Sequence, residues 1–481
     1  MEKNYDRYFA PSLREARKRI KKDIETIRFE FPENLIGLVK NKKYLIKTYG
    51  CQGNEADSEK IAGILENLGF SETTQEEEAD LILFNTCAIR ENAESRVFGE
   101  LGRVKSYKKH NPDLLLGICG CMPQEERVFN IIKEKYPYID LVFGTHNIHK
   151  LGEYLYDAYL NKEKVVEVFS EEGKIVEGIP TKRAHERKAW VNIMYGCDEF
   201  CTYCIVPYTR GKERSRSFAD IIEEVRELAK EGYQEVTLLG QNVNAYGKDL
   251  NINYTFADLL NDLWEIPIPR IRFTTSHPRD LDDATIQALA KGGNLMPHLH
   301  LPVQSGSNRI LKKMNRKYTK EEYLEKVAKL KDLVPGISIT TDIIVGFPGE
   351  TDEDFEETLD LVQKVDFEGA FTFIFSPREG TPAAKYQDDL DSKIKKERLH
   401  RLNKLINEGY LRGNQRFEGE TVKVLVEGPS QKNPELLSGY TEHNKLVNFE
   451  GDQSLVGKIV DVKIEKAYTW HLRGIIVENH S

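Results

Sequence analysis

The sequence has no long hydrophobic run. Its longest apolar stretches, at residues 81–84 and 339–347, are far shorter than the roughly 20 residues that a membrane-spanning helix needs. The first thirty residues are charged and lack the apolar centre of an export signal. These absences argue against a membrane or exported protein and predict a cytoplasmic location.

Cysteine is scarce, and its count of seven is odd. An odd number of cysteines in a chain of 481 residues argues against a disulfide framework. The cysteines are also unevenly placed, with four in residues 51–121 and three in residues 197–204. In a reducing compartment, such clusters indicate metal ligands or redox groups more often than structural bridges.

The chain also lacks a general excess of basic residues, since its net charge is −9. This excludes a surface coated with positive charge but leaves nucleic-acid binding through a local patch open. Basic runs occur at residues 182–188, 210–216 and 311–320. For Arg214 and Arg216 we expect contacts with nucleic-acid phosphates. The alternatives are a solvated surface without a ligand, pairing with acidic helix faces, and a contact with a cofactor.

The length predicts several domains, and the pattern of the chain gives their bounds. Alternating strand and helix patterns predict an α/β protein, in which a polar linker at about residues 171–189 separates two α/β regions. The predicted parts are a charged helical extension (1–41), a parallel α/β sheet domain (42–162), a partial (β/α)6 barrel (183–413) and a small closed β-barrel (414–478).

Three strands of the first α/β domain end on cysteines, namely Cys51, Cys87 and Cys121. Because the carboxyl ends of parallel strands meet at one edge of the sheet, these thiols are predicted to form one cluster site. The alternative is that three buried cysteines occupy these places by chance. Cys119 is interpreted as a buried structural residue.

The second group of cysteines has three members and no fourth. Cys197, Cys201 and Cys204 have the spacing C-x3-C-x2-C, and they follow the first strand of the predicted barrel. Three thiolates on a [4Fe–4S] cube leave one iron open to an outside ligand. Zinc is the alternative, but a zinc site normally recruits a fourth ligand nearby, and Asp198 is poorly placed for that. This loop resembles that of the radical S-adenosylmethionine (SAM) superfamily, in which SAM chelates the open iron.

The resemblance also implies where the SAM contacts lie. In this superfamily the cofactor is held at the carboxyl ends of the barrel strands, and Gln241 here replaces an acidic residue of the usual pattern. The implied contacts are Tyr203 at the adenine; Gly240 and Gln241 at the amino group; Gln304 and Ser305 at the ribose; and the backbone of Gly346, Phe347 and Pro348 beside the cofactor.

The segments TYGCQGNEADSE, NTCAIRENAESRVFGELG and GICGCMPQE resemble the N-terminal domain of the methylthiotransferase family. Gly53 stands where this family commonly has Met. The resemblance implies a second [4Fe–4S] cluster on Cys51, Cys87 and Cys121. It also identifies residues 414–478 as similar to the RNA-binding TRAM domain. NTCAIRENAE and the second cysteine loop are particularly similar to the MiaB-type branch of this family.

The activity implied by the resemblance is transfer of a methylthio group to carbon 2 of N6-isopentenyladenosine at tRNA position 37. One cluster would cleave SAM, and the other would supply sulfur. The implied partners are tRNA and an electron donor such as flavodoxin or ferredoxin, and the chain is expected to be a monomer without a membrane partner.

Other functions fit the same motifs. Related enzymes methylthiolate threonylcarbamoyl-adenosine in tRNA or an aspartate of a ribosomal protein. A protein without enzymatic activity, an iron–sulfur RNA-binding sensor of iron or redox state, is the alternative from another class. Formation of 5′-deoxyadenosine would separate the enzymes from the sensor.

Overall fold

The structure is a computed structural model that describes residues 24–31, 33–88, 91–168 and 174–477. The chain divides into two compact units. The first contains Met1–Ala184, Met194–Arg216 and Arg378–Ala384, and the second contains His185–Ile193, Ser217–Pro377 and Lys385–Ser481. Among the described residues, no helix is both long enough and apolar enough to cross a membrane.

The elements up to residue 184 alternate between strands and helices. The strands are β1 (Thr26–Arg28), β2 (Lys43–Tyr49), β3 (Ser71–Glu72), β4 (Leu81–Thr86), β5 (Leu115–Gly120), β6 (Leu141–Gly144), β7 (Val165–Glu167) and β8 (Ile175–Glu177). The helices are α1 (Gln52–Leu68), α2 (Glu91–Val104), α3 (Tyr107–His110), α4 (Glu126–Lys135) and α5 (Leu151–Tyr156), the last continued by a π-helical turn, Asp157–Asn161.

Six of these strands form one parallel sheet in the order β3-β2-β4-β5-β6-β7. Every residue of β4 and β5 is buried, as expected for central strands covered on both faces. One apolar cluster packs α1 and α5 against the sheet, and a second packs α2 and α4 against it. The sheet therefore confirms the predicted α/β class.

The prediction of a helical extension over residues 1–41 is wrong for its C-terminal part. Residues 1–23, which contain most of the predicted helix, lie outside the described residues. Thr26–Arg28 form strand β1, which pairs in parallel with β8. Since β8 lies within residues 171–189, the part of the predicted linker at Ile175–Glu177 is a strand instead. Short strands of three residues give too little periodicity to be distinguished from a linker.

Residues 185–216 contribute β9 (Lys188–Asn192), β10 (Met194–Tyr195), α6 (Val206–Thr209) and β11 (Arg214–Ser215). Residues 217–415 contribute the helices α7 (Phe218–Lys230), α8 (Phe256–Trp264), α9 (Asp283–Ala290), α10 (Asn308–Lys313), α11 (Lys320–Leu333), α12 (Asp352–Val365) and α13 (Ser392–Gln415). The strands of this region are β12 (Glu235–Leu239), β13 (Arg270–Phe273), β14 (His298–His300), β15 (Ser338–Val345) and β16 (Ala370–Ile374).

The second unit contains the six predicted barrel strands. They form two parallel three-stranded sheets, in the orders β13-β12-β9 and β14-β15-β16. A parallel bridge between Ile271 and Leu295 links β13 to the segment that precedes β14. The helices between successive strands make this the partial (β/α) barrel that the sequence predicts.

The C-terminal part of the second unit is a closed barrel of five strands in the order β17-β18-β19-β21-β20. These strands are β17 (Thr421–Pro429), β18 (Leu437–Thr441), β19 (Leu446–Phe449), β20 (Ile459–Ala467) and β21 (Leu472–Ile476). Its interior is filled by alternating apolar residues such as Val424, Val447 and Leu472. Closure leaves no open sheet edge, which confirms the predicted small β-barrel.

Candidate metal centres

Cys51, Cys87 and Cys121, called the dispersed trio below, lie at one edge of the first sheet. The register pairs Tyr49 with Thr86, and Thr86 with Gly120, so that β2, β4 and β5 end side by side. Each cysteine follows its strand end within two residues. The structure therefore brings together three thiols that are up to 70 positions apart in the sequence.

Cys51 is exposed and precedes the first residue of α1. A hydrogen bond from Cys87, together with the positive charge of Arg210 and backbone N–H groups of Asn54 and Gly53, lowers the pKa of Cys51 to about 5, although partial desolvation of the thiol by the surrounding protein opposes this shift. A thiolate at a helix N-terminus beside a cation is the reactive, metal-binding form of cysteine. Cys51 is therefore prepared for ligation.

An amide pair fixes the strand end to the first turn of α1. The side chain of Asn54 donates to Asn85 and to the carbonyl of Thr86, and Asn85 donates back to the Asn54 carbonyl. Gly50 leaves the space that this packing needs, because a Cβ there would lie 2.3 Å from Asn54 Oδ1 and 2.8 Å from Cys87 Cβ. Two cysteines of the trio thus share one rigid support.

Cys121 is buried and accepts a hydrogen bond of 3.2 Å from Nε of Arg210. Burial raises the pKa of Cys121, whereas the charge of Arg210 lowers it and the charges of Cys51 and Asp57 raise it further. These mutual effects place the thiols of the dispersed trio, Arg210 and Asp57 in one group of interacting charges.

Cys119 has a different environment from that of its neighbour two residues on. It is fully buried in the apolar cluster that also contains Leu83 and Phe143. Burial raises the pKa of Cys119 well above its ordinary value, so that its thiol stays protonated. Such a cysteine is a small apolar core residue, in agreement with the structural role expected from the sequence.

Cys197, Cys201 and Cys204, called the loop trio below, lie between β10 and α6 in the same compact unit. Cys197 and Cys201 are buried, and Cys204 is partly exposed. Burial raises the pKa of Cys197, and the charges of Glu213, Cys204 and Cys201 act in the same direction. The three thiols are therefore close enough to interact.

The backbone of the loop is tightly folded. The N–H of Cys197 donates to the carbonyl of Gly211, and that of Cys204 donates to the carbonyl of Cys201. Gly196 has φ +77°, and a Cβ there would lie 1.9 Å from the carbonyl oxygen of Lys212. Only glycine fits at this position, where the chain turns into the cysteine loop.

The two trios share an apolar wall. Ala88, Cys121, Ile205 and Tyr208 form one buried cluster, and Phe200 packs against it. Ala88 follows one cysteine of the dispersed trio, and Ile205 follows the last cysteine of the loop trio. The surroundings of the two candidate centres are thus continuous within the first compact unit.

The residues present fit iron–sulfur clusters better than single ions. Within the described parts of the chain, no three Cys, His, Asp or Glu side chains are grouped to hold one metal ion. In a [4Fe–4S] cube each thiolate binds a different iron, so that the sulfur ligands stand further apart than those of one zinc ion. Two trios of thiols match this donor set. In the dispersed trio, the pKa of Cys51 is lowered and Cys121 accepts an N–H···S hydrogen bond.

Tyr203 lies in the cysteine loop of the first unit. The other predicted SAM contacts belong to the second unit and follow the ends of β12, β14 and β15. Gly240 and Gln241 follow β12, and Gly240 is buried. Gln304 has φ +68°, pairs with Ile343 of β15 and accepts a hydrogen bond from the N–H of Ile344.

Ser305 and Phe347 are more deeply placed than the sequence suggests. Ser305 is 1% exposed, and its hydroxyl lies 3.4 Å from that of Thr358. Phe347 is fully buried against Phe375. Both side chains stabilise the ends of the strands in this structure, so that Phe347 offers its backbone rather than its ring.

The loop after β15 is held by an ion pair. The N–H of Gly346, which has φ +68°, donates to Glu350, and Glu350 pairs with Arg398 at 2.6 Å. The carbonyl of Pro348 accepts a hydrogen bond from Lys313. The predicted contacts at Gly346 and Pro348 are therefore on a braced loop.

The expectation that Arg214 and Arg216 contact nucleic-acid phosphates is wrong. Both side chains are buried. Arg216 forms a two-pronged ion pair with Glu177 at 2.6 to 3.0 Å, and Arg214 contacts His146 at 3.1 Å. The expectation fails because a sequence alone does not show which acidic residues lie opposite a run of basic ones.

Arg210 and Asp57 are functional candidates that the sequence analysis missed. They lie 153 positions apart and form a buried ion pair of 2.8 Å beside Cys121. The only signal is the position of Arg210 in the basic run after the loop trio, and the sequence predicts nucleic-acid contacts or a solvated surface for that run.

Three family profiles match the chain. The profile of the radical SAM superfamily matches residues 191–362, that of an uncharacterized protein family matches residues 43–144, and that of the TRAM domain matches residues 415–477. With the partial barrel and the loop trio, these matches define the chain as a radical SAM enzyme with an appended TRAM domain.

Relatives match over almost the whole chain. The tRNA-2-methylthio-N(6)-dimethylallyladenosine synthase of Oceanobacillus iheyensis is 60% identical over 98% of this chain and 91% of its own length. The enzyme of the same name from Bacillus subtilis is 59% identical over 99% of this chain and 95% of its own length. The chain belongs to the family of tRNA-2-methylthio-N(6)-dimethylallyladenosine synthases.

Solved structures share the fold at low sequence identity. The radical S-adenosylmethionine methyltransferase TsrM from Kitasatospora setae, solved with cobalamin and a [4Fe-4S] cluster, aligns with a TM-score of 0.53 and 14% identity. The alignment covers 72% of this chain and 77% of TsrM. A similarity at this identity shows the fold alone.

Proposed function

We propose that this chain transfers a methylthio group to carbon 2 of N6-isopentenyladenosine at position 37 of tRNA. The observation that carries this proposal is the near full-length identity of about 60% with synthases named for that product. Both cysteine trios and the TRAM domain of the proposal lie within the matched length.

We further propose that the loop trio holds a [4Fe–4S] cluster with SAM, and that the dispersed trio holds a second cluster. Bound there, these groups would supply a radical that removes hydrogen from carbon 2, and a sulfur atom for the carbon. Such a C–H bond is beyond side-chain acids and bases. The chain's own contribution is to hold both centres in one compact unit and to exclude water from the buried thiols.

The contacts proposed for SAM are Tyr203, Gly240, Gln241, Gln304, Ser305, Gly346, Phe347 and Pro348. The support for Tyr203 is its position in the cysteine loop, and the support for the others is their position after the ends of strands in a fold of the radical SAM class. The side chains of Ser305 and Phe347 are buried against protein groups, so that their backbone groups are the proposed contacts.

The target base must leave its stack to reach the reacting centres, as in other base-modifying enzymes. We propose that the TRAM barrel contributes to holding the tRNA.

We also propose that the chain acts as a monomer in the cytoplasm with a flavodoxin or ferredoxin as electron donor. We also propose that the domains of the chain cover residues 42–162, 183–413 and 414–478.

Mass spectrometry of tRNA nucleosides from cells with and without the gene tests the function. We expect the 2-methylthio derivative of isopentenyladenosine to vanish without the gene and its unmodified precursor to accumulate. Complementation with the wild-type gene should restore the product, whereas a gene encoding Cys201→Ala should not.

Two outcomes would redirect the assignment. Loss of a 2-methylthio derivative of threonylcarbamoyl-adenosine, with the isopentenyl product intact, would assign the chain to the related tRNA activity. Unchanged tRNA with an unmodified ribosomal-protein aspartate would assign it to the ribosomal activity. An unaltered nucleoside and protein profile would leave the RNA-binding sensor as the better interpretation.

A further inference from the structure

Arg210 connects the segment of the loop trio to the dispersed trio. It lies six residues after Cys204 and is 6% exposed. Its guanidinium donates two hydrogen bonds, each to a different partner. Nε donates to Cys121 Sγ at 3.2 Å, and Nη2 donates to Asp57 Oδ2 at 2.8 Å.

A buried charge of this kind is costly unless partners compensate for it. A guanidinium is effectively always protonated in proteins, and the carboxylate of Asp57 compensates the buried charge of Arg210 at 2.8 Å. Gly53 adds to the arrangement, since a Cβ there would lie 3.5 Å from Cys51 Sγ and 3.7 Å from Arg210 Nη2. The guanidinium thus lies beside two of the three thiols.

Charges and N–H···S hydrogen bonds at ligating sulfurs set the reduction potential of an iron–sulfur cluster, and groups behind the ligands orient them. A cation beside Cys121 stabilises the reduced cluster, which carries one more negative charge. Asp57 opposes this effect and holds the guanidinium in place, much as carboxylates orient metal-binding histidines.

We propose that Arg210 is a positioning residue that raises the reduction potential of the cluster on Cys51, Cys87 and Cys121, and that Asp57 lowers this potential and orients Arg210. This inference rests on the proposed function, which supplies the second cluster. The reaction concerned is the addition of one electron to that cluster from a low-potential donor.

Arg210 could alternatively act only as a structural clasp between the two segments. The two roles differ in the sign of their effects. A clasp is weakened by loss of either partner, so that Arg210→Gln and Asp57→Asn would change the protein in the same way. A tuning charge predicts opposite shifts, because the two variants remove charges of opposite sign near Cys121.

The experiment is an anaerobic redox titration of the full chain with dithionite, followed by electron paramagnetic resonance. The background carries Cys197→Ala, Cys201→Ala and Cys204→Ala, so that the second cluster alone gives the signal. Arg210→Gln, Arg210→Lys and Asp57→Asn are compared with Arg216→Gln. Arg216 is a matched control, since it is also a buried arginine of the same segment and is paired with a carboxylate, Glu177, at 2.6 Å.

We expect Arg210→Gln to shift the reduction equilibrium at least tenfold toward the oxidised cluster, which corresponds to about 59 mV for one electron. Asp57→Asn should shift the equilibrium toward the reduced cluster. The reduction potential of Arg210→Lys should lie between those of wild type and Arg210→Gln, because lysine keeps the positive charge but lacks the planar set of guanidinium donors. Arg216→Gln should leave the potential unchanged.

Equal potentials for Arg210→Gln and Arg216→Gln, or shifts of the same sign for Arg210→Gln and Asp57→Asn, would overturn the inference and leave the second cluster in place. If Arg210→Gln does not retain iron, the direction of the Asp57→Asn shift decides the question. A background variant that holds no iron would contradict the proposed function, and the inference would fall with it.

Discussion

The two cysteine trios lie in the same compact unit but are built by different means. The loop trio occupies eight consecutive residues, and its shape depends on a turn at Gly196 and on hydrogen bonds within residues 197–211. The dispersed trio depends on the register of three parallel strands. A local loop encodes the first centre, and a tertiary sheet encodes the second.

The two trios also differ in the charges that surround their thiols. Around the loop trio, burial and neighbouring negative charges raise the pKa of Cys197. In the dispersed trio, Cys87, Arg210 and helix N–H groups lower the pKa of Cys51 to about 5. A built-in cation therefore assists the centre that is assembled from distant residues, whereas the thiols of the loop are brought together by a tight backbone.

The largest expected effect is the loss of SAM cleavage from single changes in the loop trio. Cys197→Ala, Cys201→Ala or Cys204→Ala should each reduce 5′-deoxyadenosine formation to background, because one iron loses its thiolate. Chromatography of reactions after anaerobic reconstitution measures this. Normal 5′-deoxyadenosine from any of these variants would refute the role of the loop trio.

Removal of the dispersed trio should separate the two centres. With Cys51, Cys87 and Cys121 all changed to Ala, we expect about half the iron, continued formation of 5′-deoxyadenosine and no methylthio product. The reason is that only the sulfur-supplying centre is lost. Iron analysis and nucleoside mass spectrometry measure the two parts.

Cys119→Ala is the matched control for that triple variant. Cys119 lies two residues before Cys121 but is buried in an apolar cluster. We expect normal iron and normal product, with a modest loss of stability from the small cavity. Full iron in the triple variant, or a loss of product in the control, would reverse the assignment of ligands.

Glycine substitutions should affect the two centres separately. Gly196→Ala forces a side chain into a left-handed conformation 1.9 Å from a carbonyl oxygen and should destabilise the loop trio by about 2 kcal/mol or more. Gly50→Ala should disturb the dispersed trio, since its Cβ would overlap Asn54. Iron retention in variants that keep only one trio measures both effects.

Gly99→Ala is the control for these variants. Gly99 lies in α2, and a Cβ there would have nothing within 4 Å. Alanine should stabilise this helix by about 0.5 to 1 kcal/mol. If Gly196→Ala behaved like this control, the tight fold of the loop would not matter for its cluster.

A pH effect should arise at Glu125, which precedes helix α4 and lies four residues after Cys121. Burial, with the nearby negative charge of Glu94, raises the pKa of Glu125 from 4.5 to about 7. The folded state therefore favours the neutral acid, so that its contribution is present below pH 4.5 and is lost as the pH rises through 7. Glu125→Gln should remove this loss, on the order of 2 to 3 kcal/mol above pH 8.

The midpoint of thermal unfolding between pH 5 and pH 8.5 measures this effect. Wild type should lose stability across this range, and Glu125→Gln should lose less. Glu126→Gln is the control, since Glu126 is the adjacent but exposed residue in the same helix turn. Parallel pH profiles for wild type and Glu125→Gln would contradict the prediction.

Much of the fold was predictable because its signals are local. The strands that carry Cys51, Cys87 and Cys121 are buried apolar runs separated by amphipathic helices, and the six barrel strands follow the same rule. The exceptions are β1 and β8, which are three residues each and pair across about 150 positions. Their formation depends on each other rather than on their own sequences.

The sequence by itself determined the loop trio, because eight residues of backbone limit how far its three thiols can separate. It also predicted that the dispersed trio follows the ends of parallel strands, whereas the order and register of these strands come from the tertiary structure. Only the tertiary structure decided that the arginines of the basic run after the loop trio are buried. Arg210, Arg214 and Arg216 are buried with partners such as Asp57, His146 and Glu177, which lie between 39 and 153 positions away. A buried cation needs a compensating group at hydrogen-bond distance, and the fold alone brings such groups together.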